Sequence, residues 1–189
     1  IGNCSYSDVS GAWDGGYPIT EEEPRNFKFS GDHAVYVISK NACNDVMEYY
    51  NQQHGMQCAW FRFPPVYGVG PHGTIYVNGK AYKSGIATFI DIIYVKDVAR
   101  AYYLALESDK TYGLYNMTSG TQLDLEEQVR AVIDVFSEDK KSNIIYKPEK
   151  NNNTPSFWYS MSKAQRDFGF IPEYTNYHDM MVDYKKELE

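Results

Sequence analysis

Tyr36 and Lys40 stand four residues apart in Tyr36-Val-Ile-Ser-Lys40, in a stretch with no proline or glycine before Gly55. Residues at that spacing share one helix face. A cation held beside a phenol favours phenolate, the form that can take a proton from an alcohol. Such a pair suits redox chemistry at a carbon–oxygen bond. The spacing alone is weak, because a chain with 18 Tyr yields about one such pair from composition. Three others occur, Tyr76/Lys80, Tyr146/Lys150 and Tyr159/Lys163. The first flanks Asn78-Gly79, the mark of a two-residue hairpin turn. Pro148 interrupts the second, and Tyr159 precedes the serines where a helix begins. Only Tyr36/Lys40 lies within a long helical pattern, 36–54, with Val35, Ile38, Ala42, Val46 and Tyr49/Tyr50 as an approximate apolar stripe. The reading without chemistry is a surface lysine beside a half-buried tyrosine.

The neighbouring elements tell more. Residues 57–63 form a compact apolar strand that Pro64-Pro65 breaks. Helix, short glycine-containing turn and buried strand make an αβ unit of a parallel sheet. Ligands on such sheets collect at the carboxyl ends of strands, here at 63–67. Further on, 95–108 is expected as a helix with Asp97 favouring its dipole and Val98, Ala101, Tyr102 and Leu106 inward. Short strands are expected at 115–117 and 143–146, and helices at 125–136, 163–168 and 178–188. The Asn-rich segment 150–155 is the most loop-like.

Several blocks, in order, resemble the extended short-chain dehydrogenases/reductases, in particular the NAD-dependent epimerase/dehydratase group acting on nucleotide sugars. They are Ser5-Tyr-Ser-Asp-Val-Ser-Gly11, Pro18-Ile-Thr-Glu21, Tyr36-x-x-x-Lys40 and Arg62-Phe-Pro-Pro-Val-Tyr-Gly68. Asp91-Ile-Ile-Tyr-Val-Lys-Asp-Val-Ala-Arg-Ala101, Leu114-Tyr-Asn-Met-Thr-Ser-Gly120 and Ser162-Lys-Ala-Gln-Arg-Asp-Phe-Gly169 follow. The resemblance implies an α/β fold: the C-terminal part of a Rossmann-like doubly wound parallel sheet plus a small α+β substrate domain. It places 1–68 and 91–120 in the nucleotide-binding part, and 69–90 and 121–189 in the substrate part. It implies NAD or NADP as cofactor, a nucleotide sugar or related alcohol or ketone as substrate, and a possible homodimer through the helix of the Tyr/Lys pair. Tyr36 would exchange the proton, while Lys40 would stabilise the phenolate and hold the nicotinamide ribose. Ser7 would orient the reacting oxygen, with Ser5 the alternative and a plain turn role open for either serine. Phe63 and Pro64 would meet the cofactor through their backbone, and Ser5, Pro65 and Tyr67 would border the substrate.

Two departures bear on the reaction. Dehydratases of the family carry an Asp-Glu pair after the catalytic hydroxyl residue, whereas Asp8-Val9 follows Ser7; this lowers dehydration against epimerisation or keto-reduction. Pro65 replaces the family's asparagine, removing an amide that would contact substrate. A second function class is a non-catalytic sugar-nucleotide-binding or scaffold protein on the same fold.

Gly68-Val-Gly-Pro-His-Gly73 satisfies G-x-G-x-x-G, but a dinucleotide fingerprint must open a helix. A hairpin follows here instead. No other glycine-rich phosphate loop is present, so the N-terminal dinucleotide-binding half is expected to be absent from the chain. Residues are also suspected missing between Ile90 and Asp91. The isolated 189 residues are expected to be inactive. A net charge of −7 disfavours nucleic acid and anionic membranes, and no apolar run has the length of a membrane span. Cys4, Cys43 and Cys58, with scattered histidines, show no metal-ligand spacing, so no metal and a cytoplasmic setting are expected.

Overall fold

The computed structural model describes residues 2–5, 18–23, 34–64, 66–68, 90–138, 142–144 and 158–189, with only the backbone of 2–5, Ile90 and Leu125. Strand β1 (Gly2–Ser5), helix α1 (Ala34–His54) and strand β2 (Ala59–Phe63) come first. Strands β3 (Val66–Tyr67), β4 (Ile90–Asp91) and β5 (Ile93–Tyr94) lead into helix α2 (Val95–Glu107). Strands β6 (Gly113–Asn116) and β7 (Gln122–Leu123) precede helices α3 (Leu125–Phe136), α4 (Ser162–Phe168) and α5 (Tyr177–Leu188). The fold is α/β. The central sheet is parallel in the order β1-β2-β6, with Ser5 opposite Phe63 and Arg62 opposite Asn116. A parallel pair β3-β5 and an antiparallel pair β4-β7 form two further, separate sheets.

Strand β2 is buried along its whole length, as a strand covered on both faces must be. Ala59, Phe61 and Phe63 alternate onto one face, packing with Ala101 and Ala105 of α2 and with Phe168 and Phe170. Each large apolar side chain buried there contributes roughly 1.5–3 kcal/mol. A second cluster gathers Ile92 and Tyr94 with Leu123, Val132, Tyr177, Met180, Met181 and Tyr184, joining β5 to α3 and α5. Both clusters mix residues from before and after position 120.

The helices start and stop for local reasons. Asp124 and Glu127 form a reciprocal capping box that opens α3. Gly169 ends α4 in the left-handed region at φ 67°, returning its N–H to Gln165 O. Gly68 sits at φ 135° against β5, where an added Cβ would collide with the Val95 side chain, so only glycine lets β3 approach this closely.

Helix α1 inverts its apolar pattern. Val37, Asn41, Asn44 and Asn51 are its buried positions, while Val35 is 80% exposed and Ile38, Val46, Tyr49 and Tyr50 also face outward. Asn51 explains part of this, since its amide both donates to Cys58 O and accepts from Cys58 N. Two other expectations shift. In α2, Ala105 is buried and Leu106 is 73% exposed. Residues 142–144 form no strand, and 145–146, like the hairpin at 75–82, lie outside the described residues.

Candidate functional site

The staple between Asn51 and Cys58 sets α1 level with β2. From Asn51 back to Lys40 the helix rises about 16 Å, and from Cys58 forward to Phe63 the strand extends about 16 Å. Lys40 and Tyr36 lie in the first two turns of α1, a helix that packs against β1. The Tyr36 side is open, the residue being 49% exposed. The Lys40 ammonium lies 5.6 Å from the centre of the Tyr36 ring, within the range of a cation–π contact. Ser39 Oγ donates to Tyr36 O at 2.8 Å, closing the turn between the pair.

Ser5 ends β1 directly opposite Phe63, so the carboxyl ends of two parallel strands lie side by side. Phe63 turns its ring into the core against Phe61 and Tyr102, leaving its backbone at the strand end. Pro64 is buried beside it. Ser7 and Pro65 lie outside the described residues. Tyr67 is committed elsewhere: its hydroxyl donates to Gln128 Oε1 at 2.8 Å and its ring meets Tyr177 edge-on. Burial pushes the Tyr67 phenol above its ordinary range.

Two carboxylates in the Asp91–Asp97 block hold the molecule together. Asp91 accepts from Thr118 Oγ1, Ile92 N and Tyr159 N. Asp97 accepts from Glu173 N and Tyr174 N, and pairs with Arg100. The expected dipole role of Asp97 is thus joined by a tie to a segment 76 residues away. Arg62, fully buried, donates to Asn116 Oδ1 at 3.1 Å. Asn116 in turn holds the 19–21 segment through Ile19 O and Glu21 Oε1. No local pattern marks these links, because the partners come from distant turns. Among the described residues, no group of three His, Cys, Asp or Glu could hold a metal ion. Nor is any helix there long and apolar enough to cross a membrane.

A parallel sheet flanked by helices places the fold in the Rossmann-like α/β class. The chain belongs to the NAD-dependent epimerase/dehydratase family, whose model matches residues 3–118. No curated protein matches it. The structure is similar to that of UDP-glucose 4-epimerase from the hyperthermophilic eubacterium Thermotoga maritima, solved with UDP-glucose. That similarity has a TM-score of 0.75 and 21% identity, over 99% of this chain and 63% of the other. It is also similar to RMD of Pseudomonas aeruginosa complexed with NADPH, at TM-score 0.71 and 18% identity, over 97% and 65% of the two chains. The Bordetella bronchiseptica enzyme WbmH in complex with NAD+ gives TM-score 0.68 and 24% identity, over 98% and 61%. These likenesses show the fold. The chain spans less than two thirds of the length of each of these proteins.

Proposed function

We propose that the chain supplies the proton-transfer and substrate side of an NAD(P)-dependent epimerase or reductase acting on a nucleotide sugar. The observation that carries this reading is the half-exposed Tyr36 ring under the Lys40 ammonium, near the start of α1. Tyr36 Oη takes the proton of a substrate hydroxyl as that carbon is oxidised, and returns it on reduction. Lys40 stabilises the phenolate through its charge. Either Ser7 or Ser5 orients the substrate oxygen. When bound, NAD or NADP supplies the hydride acceptor.

The residues present fit the nicotinamide end of such a cofactor by their chemistry: Lys40 and Tyr36 are hydrogen-bond donors on one helix face, and β2 ends at Phe63, before Pro64. The sequence contains one G-x-G-x-x-G, at Gly68–Gly73, and it reads there as a turn and not as a helix start, so these residues alone are expected neither to hold NAD tightly nor to turn over. The relatives found with UDP-glucose, NADPH and NAD+ support the ligand classes. The outward apolar face of α1 suits a second copy of the chain, and a cytoplasmic setting agrees with the chemistry.

Calorimetry on the gene product at its natural length tests the cofactor half of this reading. NAD or NADP is expected to bind, and Lys40→Met to weaken that binding about tenfold or more. A wild-type protein that binds neither dinucleotide would overturn the enzyme reading in favour of a scaffold.

A further inference from the structure

Two segments far apart in the chain, 19–21 and 158–160, clasp each other through a parallel bridge between Ile19 and Tyr159. Ile19 N donates to Trp158 O at 2.8 Å, and Ser160 N donates to Ile19 O at 2.9 Å. Both bridge residues are buried. A carboxylate ties each half of the clasp to the sheet. On one side Asp91 Oδ2 accepts from Tyr159 N at 2.8 Å. On the other, Glu21 Oε1 accepts from Asn116 N at 2.9 Å, and Asn116 Nδ2 donates to Ile19 O.

Asp91 is buried without a counter-charge. It is 1% exposed, and its second oxygen accepts from Thr118 Oγ1 and Ile92 N. The molecule holds its own comparison. Asp97, equally buried, ties Glu173 N and Tyr174 N, but the Arg100 guanidinium stands 3.2 Å from it. Asp91 meets the backbone of Ile92 between β4 and β5, the Thr118 hydroxyl after β6, and the backbone of Tyr159. Among the described residues it pairs with no cation. Neutral donors offset only part of the cost of burying a charge. Burial pushes the Asp91 carboxyl up to about 7, against these hydrogen bonds. Burial raises Glu21 as well, helped by Glu22 and opposed by the bond from Asn116 N and by the Lys163 ammonium. In an open clasp both carboxyls return to water and to the ordinary carboxylate range. The closed clasp therefore holds protons more tightly than the open one. Acid favours closure, and each pH unit between the two values favours opening by up to about tenfold.

We propose that Asp91 makes this clasp a pH-sensitive latch, closed while its carboxyl is neutral and loosened when it ionises. The proton leaves to solvent, the carboxylate draws water in, and the 158–160 segment parts from the sheet, taking 19–21 with it.

Hydrogen exchange of the natural-length gene product, corrected for the intrinsic pH dependence of amide exchange, tests the latch. Between pH 5 and pH 8 the protection of the Tyr159 and Ser160 amides is expected to fall about tenfold or more. The Glu173 and Tyr174 amides, tied to the charge-balanced Asp97, serve as the control and are expected to change only a few fold. Asp91→Asn is expected to remove most of the fall at Tyr159 and Ser160. A carbon-13 titration of the wild-type aspartates keeps the test decisive if that variant does not fold, and is expected to show Asp91 ionising near neutrality. An equal fall at both pairs of amides, no fall at Tyr159 and Ser160, or an Asp91 carboxyl that ionises below pH 5 would each overturn the proposal.

Discussion

The helix that carries Tyr36 and Lys40 was legible, because a long stretch without proline or glycine sets this pair apart from three look-alike pairs, and α1 does run through both. The residues that hold the site in place were not. Asp91 draws its donors from Thr118 and Tyr159, contacts that no local spacing announces. Burial pushes the Asp91 carboxyl up from 3.8 to about 7, against its hydrogen bonds, which act the other way. A folded-state value above the unfolded one means that the folded state holds the proton more tightly. That stabilisation is present at acid pH and is lost as pH rises from about 4 through 7. Urea denaturation at pH 5 and pH 8 should therefore show wild-type stability falling more steeply than that of Asp91→Asn. The variant is less stable overall, since its amide cannot accept from Tyr159 N as well as from Ile92 N and Thr118. Equal slopes in the two proteins would assign the pH dependence to other groups.

At the scale of elements, the bounds of α3 and α5 follow from apolar period and capping, by Asp124 before α3 and Asn176 before α5, and those of α2 from period without a side-chain cap. The two-residue strands β3, β4, β5 and β7 escape sequence reading, because pairing and not propensity creates them. Helix α1 shows why a stripe does not reveal which side is buried. Its inner face carries three asparagines, and one of them bonds both backbone groups of Cys58. Asn51→Leu strands that N–H and C=O, at a cost of about 2–4 kcal/mol in folding stability. Chemical denaturation measures this directly; a loss under about 0.5 kcal/mol would mean that α1 is registered on the sheet by something else.

Over the whole molecule, the ordered blocks from Ser5 to Gly169 made the family legible, and the match over residues 3–118 agrees. What they could not show is the outward face of α1, where Val35, Ile38, Val46 and Tyr49 stand exposed. If a second copy covers that face, Val46→Glu should weaken self-association at least tenfold in sedimentation equilibrium; an unchanged association constant would place the contact elsewhere. The central claim remains the acid–base role of the Tyr36 hydroxyl. It is tested most directly by the turnover of a UDP-hexose by the natural-length gene product, wild type against Tyr36→Phe. The account predicts a fall in kcat of about 10²–10⁴ with KM changed only a few fold. Turnover in the phenylalanine variant within a few fold of wild type would contradict it.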